Sequence, residues 1–339
     1  MDSIQVDCLA KAGLRDRLVL PLTEEYAGRI DSYFSNSAKL KPACILMPRE
    51  TAEVSFAIKA LVRCQQKFAI RSGGSNFWPS NNIDGGVTID FGHMNTIDYD
   101  PDTQTVKLGA GAVASQVGPL TLGQPSSLHS VFIATCKCTS IDRRQQIYET
   151  LAKHEVAVGA AREASVGITG LALTGGITLF TARYGFACDQ VISYKVVLAN
   201  GQVVTADASG QHSDLFRALK GGGNNFGIVT HLTMRAFPCK SVWGGGAIHS
   251  KETFPEAAKA IVDFTKRVSD DPDTNLVCML CKLTPKPVTI VASLYVNMAG
   301  VEEPPILEKW LAFPEVWKSY KKDSMLGLLD TTEQARSYL

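Results

Sequence analysis

The residues best suited to bind a charged ligand form a short glycine loop, Arg71-Ser-Gly-Gly-Ser-Asn76. Gly73 and Gly74 carry no side chain and can adopt positive φ, so successive backbone N–H groups can converge on an anion such as a pyrophosphate. Arg71 lies beside them in the sequence. Turn chemistry alone favours a plainer interpretation, an ordinary Gly-Gly turn between two strands, so the loop needs support from the rest of the chain.

Short strands are predicted on both sides of this loop. Apolar residues at 68–70 predict one short strand. Apolar residues that alternate with polar ones predict another at 87–89. Upstream, 43–48 resembles a buried strand closed by proline, and apolar residues at helical spacing predict a helix over 51–62, with Thr51 as its N-cap. This β-α-β order predicts parallel strands that are buried on both faces.

A second glycine-rich stretch, Ala164–Tyr184, has glycines at 167, 170, 175 and 176 among apolar and β-branched residues. Glycines in a buried run let the backbone approach a flat ligand or a neighbouring strand. A tightly packed bend in the core explains the same pattern equally well.

Strand patterns resume after this stretch. Residues 191–199 and 202–206 are predicted as two strands, and Asn200-Gly201 between them is typical of a hairpin. A short helix over 214–220 and a glycine-rich turn then lead to an apolar strand that runs through Met234.

Two regions define the expected domain organisation. Gly118–Arg144 has no sustained period and contains two prolines, so we interpret it as an exposed insertion, and a retained intron would explain it. From Trp243 onward the order is strand, amphipathic helix, two strands over 276–283 and 288–296, and a short helix, which predicts a second domain with an antiparallel sheet backed by helices. We expect this domain to be incomplete at Leu339, with a sheet edge left uncovered.

The bulk composition excludes several classes of partner. The 339 residues are 45% hydrophobic and 20% charged, with a formal net charge of +1. The sequence contains no basic stripe interleaved with aromatic residues, so binding to nucleic acid is not predicted. It also contains no long apolar run, so no membrane span is predicted. Charged residues interrupt the N-terminus, so no signal peptide is predicted and a cytoplasmic location is expected.

The nine cysteines are an odd number, spread thinly, and do not suggest a disulfide framework, so most are expected to be reduced. Cys278-Met-Leu-Cys281 has the spacing of a zinc knuckle but no second Cys or His pair. A core strand is the favoured interpretation there, and no metal site is predicted. A nicotinamide enzyme is also disfavoured, because no G-x-G-x-x-G opens a helix with an acidic residue about 20 positions on.

Several motifs occur in a single order over residues 40–238: Pro42-Ala-Cys-Ile45, Arg71-Ser-Gly-Gly-Ser75, Ile83-Asp-Gly-Gly-Val-Thr-Ile-Asp90, Gly109-Ala-Gly111, Arg162–Gly170, Tyr184–Asp189, Asp214–Gly223 and Phe226–Thr230. Together they resemble the FAD-linked oxidases of the vanillyl-alcohol-oxidase superfamily, in the berberine-bridge-enzyme-like branch and its fungal secondary-metabolism members. The resemblance implies an α+β fold with a two-part PCMH-type FAD-binding domain over 38–238, followed by a partial substrate domain over 239–339.

The resemblance also implies a set of cofactor-binding residues. It assigns the first loop to the pyrophosphate, the second glycine-rich stretch to the adenosine and ribityl chain, and the start of the last strand to the flavin. The implied residues are Arg71, Ser72, Gly73, Gly74, Ser75, Asn76, Ser165, Val166, Gly167, Gly170, Gly176, Gly185, Ile228 and Val229.

The chemistry implied is oxidation of a small secondary metabolite by hydride transfer to flavin N5, with dioxygen as the acceptor. Ser75 stands where many relatives carry the histidine that bonds to the flavin, and no cysteine lies in 166–176, so non-covalent FAD is expected. No catalytic base is assigned, since Tyr295 is expected to have its hydroxyl at a domain rim. The alternative is a truncated, non-catalytic remnant that still binds flavin.

Overall fold

The computed structural model describes residues 3–114, 147–282 and 288–328. The predicted insertion at 118–144 therefore lies outside the described residues. The helices are α1 (Ile4–Lys11), α2 (Glu24–Asp31), α3 (Thr51–Arg63), α4 (Ile147–Ala152), α5 (Ile168–Leu173), α6 (Thr181–Tyr184), α7 (Ser213–Leu219), α8 (Phe254–Arg267) and α9 (Glu308–Leu311). The strands are β1 (Leu18–Val19), β2 (Cys44–Leu46), β3 (Phe68–Arg71), β4 (Val87–Asp90), β5 (Ile97–Asp100), β6 (Thr105–Gly109), β7 (Val156–Ala157), β8 (Val191–Val197), β9 (Val203–Asp207), β10 (Ile228–Arg235), β11 (Phe237–Pro238), β12 (Val242–Ser250), β13 (Thr274–Lys282), β14 (Thr289–Asn297), β15 (Trp317–Lys318) and β16 (Lys321–Asp323).

The first sheet has the order β1-β2-β4-β3 and holds the glycine loop at the end of β3. The strands β2 and β3 both run parallel to β4, which lies between them. Helix α3 connects β2 to β3 and buries Val54, Ile58 and Leu61 against the sheet. The predicted β-α-β order is confirmed, although its two strands are not direct neighbours.

The residue Thr51 is not the N-cap of α3, contrary to expectation. The cap is Glu50, and Thr51 is the first residue of the helix. The Thr51 hydroxyl instead lies 3.0 Å from the hydroxyl of Thr230 in β10, and 3.5 Å from Nδ1 of His231. Its side chain therefore links the first sheet layer to the second sheet and is not available to cap the helix.

The second sheet has the order β5-β6-β10-β8-β9, with β10 antiparallel to both of its neighbours. The predicted hairpin joins β8 to β9, and Gly201 in its turn has a φ of 79°. The apolar faces of these strands form the largest hydrophobic cluster, which extends to Val242 and Val296 in the third sheet.

The third sheet has the order β13-β14-β12-β15, with β16 also paired to β12, and every pairing is antiparallel. Helices α8 and α9 cover one of its faces, where Phe264 and Trp310 pack against Trp243 and Tyr295. The predicted sheet backed by helices is confirmed. A bidentate ion pair between Arg183 of α6 and Asp273, next to β13, connects this sheet to the preceding part of the chain.

Three residues of the third sheet differ from expectation. Cys278 and Cys281 lie in β13 as predicted, but β13 is an edge strand and both side chains are only half-buried, so this is not a core strand. Tyr295 is fully buried and does not lie at a rim, because its neighbours are α9 and the ring of Tyr320.

One disulfide joins α1 to the end of α3, between Cys8 and Cys64. The five other cysteines in the described ranges are free, in line with the expectation that most are reduced. In the part of the chain that the structure describes, no helix is long and apolar enough to cross a membrane.

Candidate cofactor-binding site

The glycine loop 72–75 starts where β3 ends and turns sharply at Gly74, whose φ is 74°. The backbone N–H groups of Gly73, Gly74 and Ser75 have no hydrogen-bond acceptor among the described residues. Consecutive N–H groups without a protein partner are what an anion-binding loop requires. The loop therefore has the donors that the sequence predicted for a pyrophosphate.

The second glycine-rich stretch packs directly against this loop. A Cβ on Gly73 would lie 2.4 Å from the backbone N of Gly167, and a Cβ on Gly167 would lie 2.6 Å from the backbone N of Gly73. Real Cβ atoms do not approach backbone that closely, so neither position accepts a side chain without movement. The contact unites the two predicted halves of the site in one surface.

Three hydroxyl groups fix this contact. Ser75 Oγ donates to the carbonyl of Ser165 at 3.3 Å. Ser72 Oγ and Thr169 Oγ1 both donate to the carbonyl of Ala110, at 2.6 and 3.1 Å. Since Ala110 directly follows β6, the second sheet supplies the acceptor that holds both glycine segments in place.

The remaining residues of the segment 163–170 have distinct positions. Val166 accepts at its carbonyl from Ala114 N, and Ser165 Oγ donates to Glu163, so both are held by protein groups. Gly170 is exposed on α5, and a Cβ there would meet no atom of the described residues within 4 Å apart from its own stretch of helix backbone. Gly170 is thus open to a ligand.

The glycines Gly176 and Gly185 are both in turns with positive φ, at 86° and 79°. Gly176 accepts at its carbonyl from Ala187 N at 2.8 Å, and a Cβ on Gly185 would collide with the carboxylate of Asp189. Local backbone geometry is therefore sufficient to require glycine here, and the cofactor contacts assigned to both residues stay predictions.

Ile228 and Val229 begin β10, at the junction of the two sheets. Ile228 packs against the cluster under the first sheet, whereas Val229 is buried in the cluster of the second sheet. Asn76 uses its side chain locally, since it donates to Ser80 Oγ and accepts from Trp78 N. Val229 therefore has its side chain in the core, whereas Asn76 is exposed, and the cofactor contacts assigned to both residues stay predictions.

Arg71 does not point out of the loop towards a ligand. Its side chain is 1% exposed, and its guanidinium lies beneath Gly74. Nη1 donates to the Arg29 carbonyl at 2.5 Å, and Nη2 donates to Ser32 Oγ at 2.8 Å. The structure thus gives Arg71 a role in supporting the loop backbone, which the sequence analysis did not anticipate.

A buried ion pair beneath the loop was also missed. Arg29 donates from Nε to Asp90 Oδ2 at 2.9 Å and from Nη2 to Oδ1 at 2.6 Å, and Arg71 Nη1 lies 3.4 Å from Oδ2. The Tyr33 ring packs on Arg71, and burial raises the pKa of its phenol despite that nearby charge. The only signal in the sequence was Asp90, which ends one of the motifs but has no partner nearby in the chain.

These features define an α+β protein whose glycine loop 72–75 has the backbone donors that a phosphate group would need. The family model for the FAD binding domain matches residues 42–124 and 143–207. The chain is 31% identical over 319 residues to the FAD-dependent monooxygenase drtC of Aspergillus calidoustus, and 30% identical over 320 residues to the bifunctional solanapyrone synthase of Alternaria solani. These alignments include 93% and 92% of this chain but 55% of each relative, so the chain spans about half the length of both.

Solved structures agree on the fold. BBE-like 1 of Physcomitrella patens superposes with a TM-score of 0.75 at 22% identity, over 96% of this chain and 64% of that one. The glucooligosaccharide oxidase of Acremonium strictum superposes with a TM-score of 0.73 at 17% identity, over 97% of this chain and 62% of that one. The chain belongs to the family of the FAD binding domain, in agreement with its motifs, and the α+β class is confirmed.

Proposed function

We propose that this chain binds FAD without a covalent bond and oxidises a small secondary metabolite, with dioxygen as the final acceptor. One observation carries the proposal: three consecutive backbone N–H groups at Gly73, Gly74 and Ser75 have no acceptor among the described residues, at the point where Gly167 packs against the loop. This surface would suit the pyrophosphate of a dinucleotide, because consecutive backbone donors are left without a protein acceptor and two of their residues carry no side chain.

Bound FAD would supply the redox chemistry, by accepting a hydride from a substrate C–H. The residues of this chain contribute binding and orientation. The loop 72–75 would hold the phosphates, and the open face of α5 at Gly170 offers space for the chain that leads to the flavin ring. Similarity to a monooxygenase and to a solanapyrone synthase favours a secondary metabolite as the substrate.

The non-covalent attachment is inferred from Ser75. Its hydroxyl donates to the Ser165 carbonyl, and a serine without an adjacent base is a weak nucleophile. The glucooligosaccharide oxidase of Acremonium strictum carries a cysteinyl, histidyl FAD, so covalent attachment does occur within this fold. After acid precipitation we expect all of the flavin in the supernatant. A yellow pellet would contradict the proposal.

The test of function begins with the absorbance spectrum of the purified chain after incubation with FAD. We expect a flavin spectrum that dithionite bleaches and air restores, and anaerobic bleaching by a substrate from a panel of small phenolic and polyketide alcohols. A chain that binds flavin but is bleached by none of them would favour the alternative, a non-catalytic flavin-binding protein.

A pair of variants tests where the cofactor lies. Gly170→Leu places a side chain on the exposed face of α5. We expect it to weaken FAD binding without lowering the free energy of unfolding in the absence of FAD, because leucine favours a helix more than glycine does. Gly28→Leu is the matched control, because Gly28 is also helical and its Cβ position is equally open among the described residues. Equal FAD affinity in both variants would place the cofactor elsewhere.

A further inference from the structure

The segment 29–37, which precedes the part of the chain matched by the family model, contacts the cofactor loop and the residues that follow it. Phe34 donates its backbone N–H to the Gly74 carbonyl at 3.1 Å. The Phe34 ring meets the Phe77 ring edge-on, with their centroids 5.2 Å apart, and Ser37 Oγ donates to the Phe77 carbonyl at 2.5 Å. The loop is thus attached to residues that lie about 40 positions earlier in the chain.

The guanidinium of Arg71 connects the same segment to the middle of the loop. It receives support from the Arg29 carbonyl, from Ser32 Oγ and from the Tyr33 ring, whose centroid lies 3.9 Å from Arg71 Cζ. A Cβ on Gly74 would lie 2.8 Å from Arg71 Nε, so the loop backbone rests directly on the guanidinium. The position of the guanidinium therefore determines where the backbone of Gly74 can lie.

We propose that Ser32 and Tyr33 are positioning residues for phosphate binding, which act through Arg71 on the Gly73–Gly74 backbone. An arginine side chain has many rotamers, and here a stacked ring and hydrogen bonds hold it in a single one. With that support removed, the guanidinium can shift, and the N–H groups above it no longer converge on one anion. The inference rests on the proposed binding of FAD and adds the segment before residue 38 to its site.

The test compares Tyr33→Leu with two controls in the purified chain. Tyr33→Phe keeps the ring on Arg71 and loses the hydroxyl, which donates to the Asn81 carbonyl. Tyr26→Leu removes a tyrosine of the same region whose hydroxyl donates to the Pro42 carbonyl and not to the loop. Calorimetry measures binding of ADP, which carries a diphosphate, and of riboflavin, which carries none. Urea unfolding measures stability.

We expect Tyr33→Leu to bind ADP about tenfold more weakly, with riboflavin affinity unchanged, because only the phosphate contacts depend on the loop. Tyr33→Phe should bind both ligands like the wild type, and Tyr26→Leu should lose stability without losing ADP affinity. Ser32→Ala removes one hydrogen bond to Arg71, and a roughly threefold loss of ADP affinity is expected from it even if Tyr33→Leu does not fold.

Two results would overturn the proposal. The first is wild-type ADP affinity in both Tyr33→Leu and Ser32→Ala. The second is an equal loss of ADP and riboflavin affinity, which would indicate a general loss of structure. Failure of the proposed function has a different signature, a wild-type chain that binds neither FAD nor ADP.

Discussion

Substituting Gly167 by alanine tests the contact that joins the two halves of the site. The added Cβ would lie 2.6 Å from Gly73 N and from Ser72 Oγ, whereas ordinary contacts begin at 3.4 Å. The two segments must therefore separate by about 0.8 Å. The φ of Gly167 is −71°, which any residue adopts, so the effect is steric and not a matter of backbone strain. Overpacking of this size costs about 1–3 kcal/mol in the free energy of unfolding.

Gly167→Ala should weaken FAD binding by an amount comparable to its effect on stability. Because the N–H groups of the loop move relative to the second segment, we expect FAD affinity to fall by at least about tenfold, in keeping with the cost of small displacements in a preorganised site. Flavin fluorescence quenching measures the affinity, and urea unfolding measures the stability.

Gly28→Ala serves as the control for Gly167→Ala, since its Cβ meets no atom within 4 Å and alanine favours the helix by up to about 1 kcal/mol. If Gly167→Ala unfolds at the wild-type urea concentration and binds FAD as tightly as the wild type, the segments are not in contact and the reasoning fails.

Three further predictions concern stability. Reduction of the Cys8–Cys64 disulfide should lower the free energy of unfolding by about 4 kcal/mol for a loop of this length, and the double Cys→Ser variant should no longer respond to dithiothreitol. Burial, helped by two nearby lysines, lowers the pKa of His231 from 6.5 to about 4. Between these values the native state therefore takes up fewer protons than the unfolded state. The stability present above pH 6.5 should be lost as the pH falls towards 4. In His231→Gln the free energy of unfolding should depend less on pH over this range. Tyr295→Phe should lower the free energy of unfolding by about 1–3 kcal/mol, because it removes the hydroxyl that lies 3.0 Å from Nε2 of the fully buried His249. Urea unfolding measures the change, and unchanged stability would show that this hydrogen bond contributes nothing.

The elements around the loop could be predicted from the sequence because their signals are local. Alternation identified β3 and β4, helical spacing identified α3, and Asn200-Gly201 identified the hairpin between β8 and β9. The strand order could not be found in the same way. Nothing in the sequence shows that β4 lies between β2 and β3, because pairing is decided by which faces meet in the folded chain.

The site was only partly predictable for a similar reason. Arg29 and Asp90 are 61 residues apart, and only the folded chain shows that they form a buried pair. Arg71 carried the charge expected of an anion ligand, but its burial depends on α2, which the sequence analysis did not connect to the loop. Gly176 and Gly185 show a further limit of prediction from sequence. A turn with positive φ requires glycine, and so does close approach of a ligand, so the sequence does not distinguish the two causes.

The central place of β10 in the second sheet has a consequence for the order of folding. Its partner β6 ends at Gly109, whereas β10 runs from Ile228 to Arg235, so this sheet closes only after more than a hundred further residues have been synthesised. The first sheet, in contrast, contains all of its strands by Asp90. During synthesis on the ribosome, the glycine loop 72–75 would therefore form early on the first sheet, before the segment around Gly167 and the second sheet can pack against it. In the interval the apolar faces of β5 and β6 would be exposed.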